Sequence, residues 1–128
     1  MKLLLDTCAF LWIGLDSDRV SEDARAAFLD AENESYLSTA SAWEIATKYS
    51  IGRLWLPKAP DLFVGEGRQN SGIHSLPVDE EAALLVARLP RLHGDPFDRL
   101  LIAQAIVHGL IIVTPDEAIA RYGIRTLW

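Results

Sequence analysis

Short continuous apolar runs alternate along the chain with longer stretches in which apolar residues recur every three or four positions. No low-complexity or linker-like segment interrupts the alternation. Continuous runs suit strands buried on both faces, and the longer period marks amphipathic helices. Leu3-Leu4-Leu5, cut off by Asp6, predicts a first strand over residues 2–6. Further strands are predicted over 35–38, 73–76, 110–113 and 124–127. A helix over 9–15 is closed by Gly14 and Asp16-Ser17-Asp18, and Ser21 N-caps a second over 22–31. Ser41 opens a third that runs to about Ile51 and stops at Gly52. After Pro57 and Pro60 the helical signal over 61–70 is moderate, because Gly65 and Gly67 each cost up to ~1 kcal/mol against Ala. Residues 79–89 carry Ala82, Ala83, Leu85, Val86 and Leu89 at helical spacing. The strongest helix, 97–108, is begun by Asp95-Pro96 and ended by Gly109. A short helix over 116–122 precedes the last strand.

Strands separated by helices predict an α/β domain, a three-layer α/β/α sandwich around a central, mostly parallel sheet of about five strands. At 128 residues the chain is one domain, 1–128, with no length for a second core. Half of its residues are hydrophobic and 23% are charged, a balance that folds into a packed globule. Eighteen acids against twelve Lys and Arg give a net charge of −6, which argues against a generic polyanion binder. Cys8 stands alone, excluding an internal disulfide framework and a Cys-based zinc site. No apolar run approaches the ~18 residues of a membrane span, and the run after Lys2 is too short for a secretory signal. The expected location is the cytoplasm, with no membrane partner.

Parallel α/β sheets bind ligands outside the carboxyl ends of their strands. Asp6 ends the first predicted strand and Asp116 follows the fourth after Thr114-Pro115. Glu44 and Asp98 stand in the first turns of helices whose N-termini point to the same edge. Each acid also has a structural reading. Asp6 can cap the helix after it, Ser41-Ala42-Trp43-Glu44 has the form of a capping box, and Asp95 suits an N-cap before Pro96. Thr114 can cap a helix in which Asp116 merely favours the dipole. Asp98, however, heads the apolar stripe Leu101, Ile102, Ala105, where an ionised acid is costly unless a cation or donor answers it. Glu44 points away from the main stripe Ala42, Ile45, Ala46, Tyr49 and shares a second face with Trp43, Thr47 and Ile51. Four converging carboxylates stay ionised together only around divalent cations, and all-oxygen ligation selects magnesium or manganese. Such a site hydrolyses phosphodiesters.

Several stretches carry a family resemblance: Leu4-Leu5-Asp6-Thr7, Ala42-Trp43-Glu44-Ile45, and the run from Asp95-Pro96-Phe97-Asp98-Arg99 to Ala105. Leu110-Ile111-Ile112-Val113-Thr114-Pro115-Asp116 and Tyr122-Gly123-Ile124 complete it. In this order and at these separations the sequence resembles the PIN-domain proteins, specifically the VapC-like ribonuclease toxins of prokaryotic type II toxin–antitoxin pairs. The resemblance implies an acidic pocket for magnesium or manganese in which Asp6, Glu44, Asp98 and Asp116 are the catalytic and metal-binding acids. It implies that Asp6 and Asp98 chiefly hold the metal, that Glu44 and Asp116 complete its outer coordination or orient water, and that Thr7 and Thr114 support them. Asp95 is closer to a helix cap than to a ligand. No histidine base is required; His74, His93 and His108 fall in loops or near a helix end. The implied partners are an RNA substrate, a small cognate antitoxin and a second copy in a homodimer.

RNA phosphates need local cations, and Lys48, Arg53, Arg68, Arg91 and Arg99 are candidates for the cleft rim, Arg99 foremost. Trp55 lies in a region a single small sheet does not fully cover, which suits a homodimer or antitoxin surface. Two rival readings remain. An aspartyl-phosphate receiver-like domain also gathers acids at strand ends, but it wants a lysine near the last strands, and residues 110–128 contain none. A catalytically inactive PIN-like interaction module would carry the same acids.

Overall fold

A computed structural model describes all 128 residues. The strands are β1 (Lys2–Leu5), β2 (Glu34–Ser38), β3 (His74–Leu76), β4 (Ile111–Val113) and β5 (Thr126–Leu127). The helices are α1 (Thr7–Gly14), α2 (Glu22–Leu29), α3 (Thr39–Ser50), α4 (Pro60–Ser71), α5 (Glu80–Leu85), α6 (Pro96–His108) and α7 (Glu117–Ala120). The five strands form one sheet in the order β3-β2-β1-β4-β5. Every pairing is parallel.

β1 sits at the centre because its side chains are apolar on both faces. Successive strand residues point to opposite sides. Leu3 and Leu5 join Phe10, Ala24, Leu37, Ile45, Phe63, Ile111 and Val113 in one apolar cluster. Leu4 and Ile112 pack on the other face with Leu101, Ile102, Ala105 and Ile119. The first cluster thus lies under α1–α4 and the second under α6 and α7, the expected three-layer arrangement.

Three elements differ from their sequence reading. α4 is a full helix despite its glycines. A Cβ on Gly67 would stand 3.0 Å from the Phe10 ring, and one on Gly14 would stand 2.9 Å from the Phe63 ring. The missing side chains let α1 and α4 approach until Phe10 and Phe63 meet edge to face, with centroids 5.9 Å apart. α3 starts at Thr39, with Ser38 as its N-cap accepting from the Ala40 amide at 3.0 Å. The Ser41 capping box therefore does not form, because β2 turns directly into α3 and Glu44 lies in the second turn. The helix predicted over 79–89 ends at Leu85 and tightens into a 3-10 turn over Val86–Arg88. Its last carbonyls turn to another partner, described below.

Candidate active site

Parallel strands bring their carboxyl ends to one edge, and β1 and β4 are neighbours there. Asp6, the residue after β1, N-caps α1: its Oδ1 accepts from the Ala9 amide at 2.6 Å. Its Oδ2 accepts from the hydroxyl of Thr114, the residue after β4. The cap and the cluster are not alternatives, since one carboxylate serves both. Burial pushes the Asp6 carboxyl up to about 7, against the pull of the Thr114 and Ala9 donors, and the charges of Asp98 and Asp116 push it further.

Glu44 is 5% exposed and shares the buried face of α3 with Ser41 and Ile45. The outward residues are Trp43 and Ile51, at 65% and 60% exposure, so the second apolar flank expected around Glu44 is absent. The Thr7 hydroxyl lies 2.6 Å from Glu44 Oε1 and 3.0 Å from Ser41 Oγ. With a single proton, Thr7 donates to the carboxylate and can accept from Ser41. Lys48, one turn along α3, places Nζ 2.5 Å from Glu44 Oε2. That bond raises the Lys48 ammonium pKa, burial opposes it, and the charges of Asp95 and Asp98 add to the rise. Lys48 therefore lies within the field of the acidic cluster while its side chain remains 46% exposed.

Asp98 occupies the first turn of α6, which Asp95 caps by accepting from the Phe97 and Asp98 amides. Burial pushes the Asp98 carboxyl up to about 6, helped by the charges of Asp95 and Glu44 and opposed by a bond from His93. Asp116 N-caps α7, accepting from the Ala118 amide at 2.9 Å. Thr114 is not that cap. Its oxygen accepts from the Asp116 amide at 3.0 Å while its proton goes to Asp6, joining the two acids through one residue. Burial foremost, then the Asp6 charge, pushes the Cys8 thiol up to about 11, which keeps it protonated at neutral pH.

The chemistry of these donors suits a hard divalent cation. No group of three or more of the protein's His, Cys, Asp or Glu side chains is gathered into a site that could hold a metal ion by itself. Magnesium does not require such a group, because it keeps most of its waters and takes one or two carboxylates. The raised Asp6 and Asp98 carboxyls reflect burial first and neighbouring acids second, both of which a cation would offset.

Two residues assigned otherwise belong to this neighbourhood. Arg99 is not a rim cation: it is 8% exposed. Its guanidinium donates to the carbonyls of Pro90, Val86 and Leu89 and to the Tyr122 hydroxyl. These bonds take the carbonyls that a longer α5 would have used. His93, read as an ordinary loop histidine, sets Nε2 3.2 Å from Asp98 Oδ2 and Nδ1 2.7 Å from the Tyr122 hydroxyl. Irregular loops carry no periodicity to reveal such contacts; the one available signal was the closeness of His93 to Asp95 and Asp98. Arg53 and Arg91 are exposed, whereas Arg68 is half-buried, with one guanidinium nitrogen on the Leu37 carbonyl at 3.3 Å. Trp55 is 74% exposed, and Trp12 packs against Trp128.

A PIN-domain family model matches residues 3–125. Ribonuclease VapC16 of Mycobacterium tuberculosis is 40% identical over 65 residues, which are 51% of this chain and 45% of that protein. The match thus spans about half the length of that curated relative. Among solved structures, a chain of VapBC2 from Rickettsia felis, bound to a DNA fragment from its promoter, superposes with a TM-score of 0.74. It is 12% identical, covering 99% of this chain and 98% of that one. DNA-bound VapBC from Salmonella typhimurium gives 0.70 at 20% identity, covering 99% and 97%. FitAcB from Neisseria gonorrhoeae gives 0.65 at 20% identity, covering 98% and 96%. At these identities the structures speak for the fold, and the family model speaks for descent over almost the whole chain. This protein belongs to the PIN-domain family.

Proposed function

We propose that the protein is a magnesium- or manganese-dependent endoribonuclease, the toxin of a toxin–antitoxin pair, acting in the cytoplasm. The observation that carries the reading is the shared carboxyl edge of the sheet, where Asp6 lies in the field of Asp98 and Asp116 and Asp98 lies in the field of Glu44 and Asp95. The partial match to a protein named as a ribonuclease, and the shared fold of the VapBC and FitAcB chains, support it. Asp6 and Asp98 would hold the metal, and Glu44 and Asp116 would complete its outer coordination or orient water. When bound, the ion lowers the pKa of a water and offsets negative charge on the phosphate being attacked.

The chain's own residues prepare that chemistry. Thr114 and the Ala9 amide fix the Asp6 carboxylate, and Thr7 fixes Glu44. Asp95 anchors the first turn of α6, so that Asp98 is presented from a rigid element. Lys48 and Arg53 would meet RNA phosphates at the rim. Lys48 can exchange its bond to Glu44 for one to phosphate, because it is already half in solvent. Exposed Trp55 and Ile51 offer apolar surface for an antitoxin segment or for the second copy of a homodimer.

The test is RNA cleavage by purified protein with magnesium, with manganese and with chelator. Cleavage should require the cation, and Asp6→Asn and Asp98→Asn should each abolish it while leaving the circular dichroism spectrum unchanged. Full cation-dependent cleavage by both variants would remove these acids from the site. Labelling of Asp6 by acetyl phosphate would replace the nuclease with a phosphoryl acceptor.

A further inference from the structure

Three side chains behind Asp98 form a chain of hydrogen bonds with a defined direction. Arg99 Nη1 lies 2.9 Å from the Tyr122 hydroxyl oxygen, and a guanidinium can only donate. Tyr122 therefore accepts there, and its own proton needs another acceptor. His93 Nδ1, at 2.7 Å, is the other group in hydrogen-bond contact with that hydroxyl. Nδ1 accordingly accepts, and the ring proton resides on Nε2, which faces Asp98 Oδ2 at 3.2 Å. The ring packing agrees: His93 and Tyr122 meet edge to face at 5.3 Å, and the Arg99 guanidinium lies over the Tyr122 ring.

We infer that His93 is a positioning residue for Asp98, held as its Nε2–H tautomer by Tyr122 and Arg99 so that it donates to Oδ2 and turns Oδ1 toward the acidic cleft. The inference rests on the proposed metal-binding role of Asp98. Its elements come from three places, namely the loop before α6, α6 itself and the turn after α7. Oδ1 makes no hydrogen bond within the protein and is left for an outside partner. Partners of this kind around a ligating group characteristically change metal affinity by ~10–100-fold when removed. Asp98 without its donor would rotate freely about the side-chain bond nearest the carboxylate, and both oxygens would compete for the cleft.

The experiment has two arms. In the first, long-range proton–nitrogen spectra of the metal-free, nitrogen-15-labelled full chain at pH 8 report the His93 tautomer. Nε2–H is expected in the wild type, and Tyr122→Phe should lose that preference. A wild-type ring protonated on Nδ1 overturns the relay. In the second, manganese binding is read from the resonance signal of the free ion. His93→Ala should bind at least ~10-fold more weakly than wild type. His93→Gln, whose amide nitrogen stands near the former Nε2, should recover most of the loss. Thermal midpoints of the two variants should match. Wild-type affinity in His93→Ala, or equal weakness in both variants, overturns the positioning role. If the wild type binds no manganese, the metal reading of Asp98 fails and the positioning inference falls with it, while the spectra separately decide whether the relay exists.

Discussion

Thr114 donates its hydroxyl proton to Asp6, a residue 108 positions earlier in the chain, and so locks the end of β4 to the end of β1 inside the acidic cluster. The bond spans two parallel strands that β-pairing has already set in register, Leu5 opposite Val113. It supplies one of two donors that favour the ionised form of a carboxylate otherwise disfavoured by burial.

Replacing Thr114 by Val keeps the shape and removes that donor. Asp6 should then shift above its present value of about 7 and be mostly protonated at neutral pH. RNA cleavage at pH 7 should fall by about 10-fold or more, with part of the loss recovered at pH 8.5 as Asp6 ionises. A pH–rate profile of Thr114→Val beside wild type checks this; parallel profiles would show that the hydroxyl does not tune Asp6.

The raised carboxyls also set how stability depends on pH. Asp6 at about 7 and Asp98 at about 6 bind protons in the folded chain that the unfolded chain, titrating near 4, has already released. Stability without metal should therefore fall as pH rises from about 4 to 7. At pH 8 Asp6→Asn should raise the thermal midpoint by about 3–6 °C. Magnesium should stabilise wild type more at pH 8 than at pH 5.5, since protonated acids compete with it. Melting curves across this range, with and without chelator, measure both effects.

Arg99 should prove a stabilising residue instead of an RNA contact. Arg99→Met retains bulk but leaves the Val86, Leu89 and Pro90 carbonyls without their donor, at a cost of about 2–4 kcal/mol. Denaturant unfolding gives the number. The salt dependence of RNA binding should keep its wild-type slope, whereas Lys48→Ala should flatten it.

Asp95 separates capping from charge. Asp95→Ala should cost about 1 kcal/mol through the lost bonds to the Phe97 and Asp98 amides, and Asp95→Ser should restore most of it. Both remove a negative neighbour that raises Asp98. Cleavage by Asp95→Ser should thus remain within about 10-fold of wild type, far from the loss expected for Asp98→Asn. Unfolding and cleavage measured on the same two variants distinguish the roles.

How much of this was legible beforehand varies by residue. Asp6, Glu44, Asp98 and Asp116 were readable as candidates, because strand ends and helix starts carry strong local signals and a parallel sheet sends them to one edge. The Asp95 cap was legible for the same local reason. The direction Glu44 faces was not: the stripe Ala42, Ile45, Ala46, Tyr49 suggested one inner face, whereas α3 buries Ala40, Ser41, Glu44 and Ile45 and leaves Ala46 and Tyr49 exposed, and only packing decides which face of such a mixed helix is covered. The roles of Arg99 and His93 were hidden too. Charge and neighbourhood suggested a cation at a rim and a histidine in a loop, yet only the fold says whether such groups face water or a carbonyl.

The amino-acid sequence by itself determined the alternation of strands and helices and the mostly parallel sheet, which follow from short-range patterning and apolar burial, and it marked out the candidate carboxylates. Tertiary structure alone decided which oxygen of each acid is already occupied, that Thr7 serves Glu44 and Thr114 serves Asp6, and that Tyr122 and Arg99 stand behind His93. The reason is physical. Hydrogen bonds across 23 to 108 residues depend on loop paths and side-chain rotation. Those are settled only when the two apolar faces of the sheet have been packed.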